Sequence, residues 1–132
     1  MKKVLYSAIA ALALVGAASA DPVVGTWQTA SGEDGGFLHV DIAPCGADFC
    51  GTIKSAFKEG GSPSLQYPHL GKSIIKKMQA NGSGSYSGGT VWAPDVDKTY
   101  TSKMSLKGSK LTVKGCVAGG LICRGQDWKR VR

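Results

Sequence analysis

Apolar and polar residues alternate with a period of two along most of the chain, in short runs separated by glycine-containing breaks. A period of two puts successive side chains on opposite faces, so the pattern predicts half-buried strands. Val23–Thr29 reads as a first strand. After a polar turn from Gly32 to Gly36, Leu38, Val40 and Ile42 share one face of the next strand, with His39 and Asp41 on the other. Pro44-Cys45-Gly46-Ala47-Asp48 turns the chain, and Phe49, Gly51, Ile53 and Ser55 line one side of the returning strand.

The middle of the chain changes period. Lys58 to Pro68 is loop-like, and then Leu70, Ile74 and Met78 recur every fourth residue while Lys72, Lys76 and Lys77 take the other positions. That spacing predicts one short amphipathic helix, stopped by Asn81-Gly82. Its apolar stripe is expected to plug or cover the core. It lacks the length and bulky aromatics of a membrane-surface helix.

Alternation then resumes. Gly88–Trp92 feeds the turn Ala93-Pro94-Asp95-Val96-Asp97, and Tyr100, Ser102, Met104 and Leu106 share one face of the following strand. Lys107-Gly108-Ser109-Lys110 signals another turn. Leu111, Val113 and Gly115 form the face of the next strand, and a final strand runs through Gln126, Trp128, Arg130 and Arg132. The expected fold is all-β: about seven or eight antiparallel strands with one short inserted helix, closing into a small barrel that leaves no exposed edge. A barrel of this size either encloses one small ligand or is filled by side chains, and alternation does not choose between them.

The chain's beginning adds a compartment. Lys2 and Lys3, an apolar run and Ala18-Ser19-Ala20 make residues 1–20 a bacterial signal peptide cleaved after Ala20. The remainder, Asp21–Arg132, has the size of one domain and contains no linker or repeat. A periplasmic or secreted location follows, without stable membrane insertion. The formal charge of +7 is dispersed, with no basic arm or nucleic-acid motif, so nucleic acid is not an expected partner. The sequence carries no sign of an oligomer, and a monomer is expected.

Four cysteines lie in the exported part: Cys45, Cys50, Cys116 and Cys123. Three pairings are possible. Each close pair brackets a glycine-containing turn, which favours two local disulfides. A four-cysteine zinc site is the rival, but the spacings exceed the usual close ligand pairs and the compartment oxidises thiols.

Candidate catalytic chemistry is sparse. Neither a nucleophile elbow, a zinc-protease helix motif nor a phosphate loop is present, and Gly82-Ser83-Gly84 and Gly88-Gly89 read as turns. No cofactor or resident metal is expected. His69 with Asp95 or Asp97 is the one pairing that would serve a hydrolase, if the loops meet. Trp92, Tyr100 and Tyr67, with Met104 on the same strand face as Tyr100, are the candidate ligand-binding residues, since amphipathic rings suit an apolar pocket with a polar rim. Ordinary core packing is the competing role. The turn itself needs no catalytic reading: Pro94 is pre-set for it, and Asp97 tolerates the left-handed backbone a glycine would otherwise supply.

Gly25-x-Trp27 and Trp128-x-Arg130 resemble the lipocalin-like (calycin) arrangement, in which an arginine from the last strand packs on a first-strand tryptophan. Such a contact contributes about 0.5–2 kcal/mol while closing the barrel. The longer order of Gly25-x-Trp27, Cys45-Gly46…Cys50-Gly51, Leu70-Gly71, Gly88-Gly89, Pro94…Lys98-Thr99-Tyr100 and Gln126-x-Trp128-x-Arg130 resembles the bacterial exported domain-of-unknown-function 2147 family. The resemblance covers nearly all of Asp21–Arg132 and implies a lipocalin-like barrel closed structurally by Trp27, Trp128 and Arg130. Two places depart from the family pattern. Ala93 precedes Pro94 where aspartate is usual, with Asp97 in the glycine position, and Ser62-Pro63 and Tyr67-Pro68 replace an Asp…Asn-Pro element. Any activity carried by those polar positions is therefore in doubt here.

Three functions are expected in this order: a non-enzymatic barrel binding a small apolar or amphipathic molecule or an envelope component; an envelope protein-interaction module using the disulfide-stiffened hairpins; and a hydrolase.

Overall fold

A computed structural model describes residues 21–132. The expected signal peptide, residues 1–20, lies outside the described residues. Eight strands follow one another as β1 (Gly25–Gln28), β2 (Phe37–Cys45), β3 (Asp48–Phe57), β4 (Ser73–Gly82), β5 (Ser85–Ala93), β6 (Lys98–Lys107), β7 (Lys110–Val117) and β8 (Ile122–Arg130). Each pairs antiparallel with its sequence neighbour, and β8 returns to β1 through Trp27↔Arg130 and Gln28↔Lys129, so the barrel is closed. Closure leaves every strand with two partners, which removes the edges that an open meander would expose.

The core is the inner face of this wall: Trp27, Val40, Ile42, Ile53, Ile75, Met78, Leu111 and Trp128 are all buried. The inward sets predicted on β2, β6 and β7 are seen, with one adjustment on β3. A bulge between His39 and Val40 pairs Val40 with Ile53 but Leu38 with Ala56, so Ser55 faces outward opposite His39 and Ala56 takes the inner position.

The predicted helix does not form. Residues 73–82 are strand β4, and among the described residues the helical element is a single 3-10 turn at Ala118–Gly120. Ile75 and Met78 both point inward, three residues apart, because Lys77 adopts a left-handed backbone (φ 54°) and Lys76-Lys77 occupy the space of one residue in the pairing with β3. The stripe that suggested a helix is of another kind: Ile74 and Met78 are four residues apart, a spacing that a strand of period two shares with a helix, and Leu70, 40% exposed, lies before β4. Neighbouring β5 accommodates the irregularity with glycine. A Cβ on Gly89 would lie 2.4 Å from the Lys76 carbonyl oxygen and 2.9 Å from the Met78 backbone. Gly88-Gly89 therefore lie within a strand and not at the expected turn, whereas Gly82–Ser85 does form the β4–β5 hairpin.

The core is plugged from the N-terminal side, not by a helix. Val23 is fully buried in the core cluster. Asp21 accepts hydrogen bonds from the Val23 N–H (2.9 Å) and from the Tyr86 hydroxyl on β5 (2.7 Å), so the segment before β1 is tied across the barrel.

Candidate ligand-binding cavity

An up-and-down barrel sends alternate connections to opposite ends. The β2–β3, β4–β5 and β6–β7 hairpins share the plugged end. The β1–β2, β3–β4, β5–β6 and β7–β8 connections surround the other. The two disulfides, Cys45–Cys50 and Cys116–Cys123, consequently brace opposite ends. Both local pairings expected from the sequence are present, and all four thiols are consumed.

At the plugged end, the Arg130 guanidinium lies 4.3 Å from the centre of the Trp27 ring. The same guanidinium donates to the Val24 carbonyl (3.2 Å) and to the Pro22 carbonyl, while the Trp27 indole donates to Val23 O (2.9 Å). The Arg130–Trp27 contact is of the kind the sequence resemblance implies, while Trp128, buried beside Leu111, bonds Gln126 and lines the cavity at the other end.

The other end is open. A cavity of about 1490 Å³ enters the barrel there. Its inner wall includes Leu38, Ala56, Ile74, Val91, Val113 and Trp128, which makes its deeper part apolar.

Three of the four candidate ligand residues line this cavity: Tyr67, Trp92 and Tyr100. Met104 does not. It is buried in the core, pairing with Tyr86 and Val113. The β3–β4 connection folds so that His69 stands edge-on to both Tyr67 (5.3 Å between centres) and Trp92 (5.0 Å), giving an aromatic row at the mouth. Lys72 donates to His69 Nδ1 at 3.1 Å and sits 5.9 Å from the centre of the Trp92 ring. Burial, helped by the nearby Asp95 and Asp34 carboxylates, pushes the Tyr67 phenol above its ordinary 10.0.

His69 makes no direct bond to either candidate aspartate of the hydrolase pairing, Asp95 or Asp97, among the described residues. It is engaged by Tyr67, Trp92 and Lys72. Asp97 instead accepts the Trp92 indole N–H at 2.9 Å, and its φ of 49° is the left-handed turn conformation expected of it. His39 lies on the outer face, bonded to Gln28 Oε1 at 3.2 Å and packed on Phe57. Burial, with Lys54 and Arg132 adding repulsion, lowers its pKa. Among the described residues, no group of three or more His, Cys, Asp or Glu could hold a metal ion.

Sequence reasoning missed Arg124 as a cavity residue and gave Gln126 no role. Both line the cavity. Their signal was the alternation of β8 itself: extended back from Arg130 and Trp128, it puts Gln126, Arg124 and Ile122 on the same inward face. Register confirms that face, with Val113↔Gln126, Gly115↔Arg124 and Val117↔Ile122.

Residues 25–130 match the family described as uncharacterized proteins conserved in bacteria (DUF2147). The chain belongs to that family. Among solved structures, this DUF2147 protein is similar to protein HP1028 from the human pathogen Helicobacter pylori, described as belonging to the lipocalin family. Identity is 18%, the TM-score is 0.67, and the match covers 86% of this chain and 85% of that one. The likeness is one of fold, and it accords with the eight-stranded closed barrel. No curated protein matches the chain. Among the described residues no helix is long and apolar enough to cross a membrane. The two disulfides accord with an oxidising compartment.

Proposed function

We propose that this DUF2147 protein is a non-enzymatic binding barrel of the bacterial periplasm, acting as a monomer on a small apolar or amphipathic molecule or envelope component. The observation that carries the reading is the cavity of about 1490 Å³. Part of that volume is the mouth between the loops, but its floor of Leu38, Ala56, Ile74, Val113 and Trp128 is apolar, and a barrel serving only as a scaffold would cover such a floor with side chains. Here the apolar floor is left uncovered and aromatic rings flank the entrance. Tyr67, Trp92 and Tyr100 supply rigid contact area, and the β3–β4 connection narrows the way in.

The test combines two measurements. Native mass spectrometry of protein purified gently from its own periplasm is expected to reveal a retained small molecule. Protein stripped of it is expected to bind the uncharged probe N-phenylnaphthylamine saturably, with quenching of tryptophan emission, since Trp92 and Trp128 line the cavity. An apo protein that also gives no saturable quenching sinks the reading.

A second reading, an envelope protein-interaction module, has one specific observation in its favour. The β7–β8 hairpin exposes Val117 (47%), Leu121 (87%) and Ile122 (62%) beside the Cys116–Cys123 disulfide. It differs in outcome: the same mass spectrum would show a protein partner, and Leu121→Ser, at a residue outside the cavity lining, would abolish that complex while leaving probe binding intact.

A further inference from the structure

We infer that the cavity receives an amphiphile by an oxyanion headgroup, held near the mouth by Arg124, Gln126 and Tyr100 while its alkyl chain runs down to Val113 and Trp128. This names the ligand class for the binding reading above and rests on it.

The wall formed by β6, β7 and β8 is graded. Deepest are Leu111 and Trp128, which pair with each other; above them come Val113 with Gln126, then Gly115 with Arg124, then Val117 with Ile122 at the rim. The polar step lies between two apolar ones, which is the profile of a molecule with a buried tail and a headgroup just inside the entrance.

At that step the free valences are donors. Trp128 Nε1 bonds Gln126 Oε1 at 2.6 Å. An indole can only donate, so the carboxamide oxygen is the end turned to Trp128 and the two N–H donors of the NH₂ are left for a ligand. Arg124 has no ion pair; among the described residues the single salt bridge is Lys54–Asp41 on the outer wall. Nothing from the adjoining strand screens the guanidinium, because its cross-strand partner is Gly115. The space above Gly115 is taken by Tyr100, whose Cβ, Cγ and Cδ2 lie 3.3, 3.4 and 3.5 Å from where a Gly115 Cβ would stand. The Tyr100 ring therefore packs against this wall and lines the cavity, and its phenol is the third donor that the inference assigns beside the guanidinium and the carboxamide. Carboxylate, sulfate and phosphate esters share the planar or tetrahedral oxygens that an arginine fork matches.

Carboxylates line the mouth too, Glu33 and Asp34 on the β1–β2 connection, Glu59 on β3–β4 and Asp95 on β5–β6, with Lys58 beside them, and they argue for a cationic headgroup. Asp34 is already bonded to the Gly36 N–H (2.9 Å); Glu33, Glu59 and Asp95 stand on the connecting loops and not on the graded wall that holds Arg124, so the ammonium probe decides between the two headgroup charges.

Calorimetry on the full mature protein, stripped of endogenous ligand, tests the inference with dodecanoate, dodecyl sulfate, dodecanol and dodecyltrimethylammonium, each below its micelle concentration. Expected is binding of both anions at least about 10-fold tighter than dodecanol, from charge-assisted hydrogen bonds. Arg124→Gln should erase that margin while leaving dodecanol affinity unchanged, and Arg124→Lys should retain part of it. Equal affinity for dodecanol and the anions, preference for the ammonium, or an Arg124→Gln loss shared equally by dodecanol overturns the headgroup assignment alone. Failure of every alkyl probe overturns the cavity reading and this inference with it. A preference for dodecanoate over dodecyl sulfate, or the reverse, identifies which oxyanion source the site is shaped for.

Discussion

The Trp92 indole N–H donates to Asp97 Oδ1 across 2.9 Å, tying the end of β5 to the last residue of the turn that leads into β6. Two demands meet in Asp97: an acceptor for Trp92 and a backbone at φ 49°. Asp97→Ala loses the acceptor and keeps the unfavourable φ, so it should destabilise by about 1–2 kcal/mol. Asp97→Gly loses the same bond but relaxes the backbone, and its cost should be under about 0.5 kcal/mol. Urea denaturation of the pair checks the ordering, and a larger loss for glycine than for alanine contradicts it.

Barrel closure by Arg130 is expected to depend on the guanidinium and not on charge alone. Arg130→Lys keeps a cation near Trp27 but cannot serve the ring, Val24 O and Pro22 O together. A loss of about 1–2 kcal/mol for lysine and about 2–3 kcal/mol for alanine is expected. Chemical denaturation followed by tryptophan fluorescence measures both.

Alkaline pH should unlock the plug. Burial, the hydrogen bond to Asp21 and that carboxylate's charge raise the Tyr86 pKa far above its ordinary 10.0. The folded state then holds a proton that the unfolded chain releases. The associated stability is complete below pH 10.0 and is lost as pH rises above it. Tyr67 is shifted in the same direction. Phenolate absorbance should show Tyr86 ionising only as the barrel unfolds, and Tyr86→Phe should remove that step and flatten the alkaline decline. An unchanged decline in Tyr86→Phe contradicts the assignment.

Gly89 tests the bulged architecture of β4 and β5. Alanine there must displace the Lys76 carbonyl or the Met78 backbone, at a cost of about 2–3 kcal/mol. Gly82→Ala, whose Cβ would meet nothing within 4 Å, has the strain of a positive φ but no clash. Thermal melts should therefore place Gly89→Ala well below Gly82→Ala.

Each disulfide closes a short loop, so converting Cys45 and Cys50 to serine should cost about 2 kcal/mol in the chain-entropy model. Because Cys116–Cys123 lies at the other end of the barrel, removing both should cost nearly the sum. Denaturation of the two double variants and the quadruple variant checks additivity.

Alternation alone made most of the wall legible. The inward residues of β2, β6 and β7 follow from a period of two, and the glycine-bracketed cysteines told which hairpins would be clipped. Asp97 was readable as a turn residue because short polar side chains tolerate left-handed backbone. The failures have different causes. On β3 the bulge at His39–Val40 moved Ser55 outward, and on β4 the four-residue spacing of Ile74 and Met78 suits a strand as well as a helix. A bulge is stabilised by the neighbouring strand, at Lys76-Lys77 by the missing side chain of Gly89, and nothing within the bulged segment records it.

For the site, the sequence by itself determined the residue types: aromatic rings near the turn and helix-like segment, and a last strand carrying Gln126, Trp128 and Arg130. It also determined that paired carboxylates were a weak case for catalysis. Only the tertiary structure decided which of these share a space. Closure of β8 onto β1 fixed one end as the plugged one, so that Met104 went to the core while Tyr67, Trp92 and Tyr100 went to the mouth. The same closure turned Arg124 inward beside Gly115. The physical reason is that alternation specifies a face, whereas height in a barrel depends on register and on which end is sealed, and both are set by contacts between residues far apart in the chain.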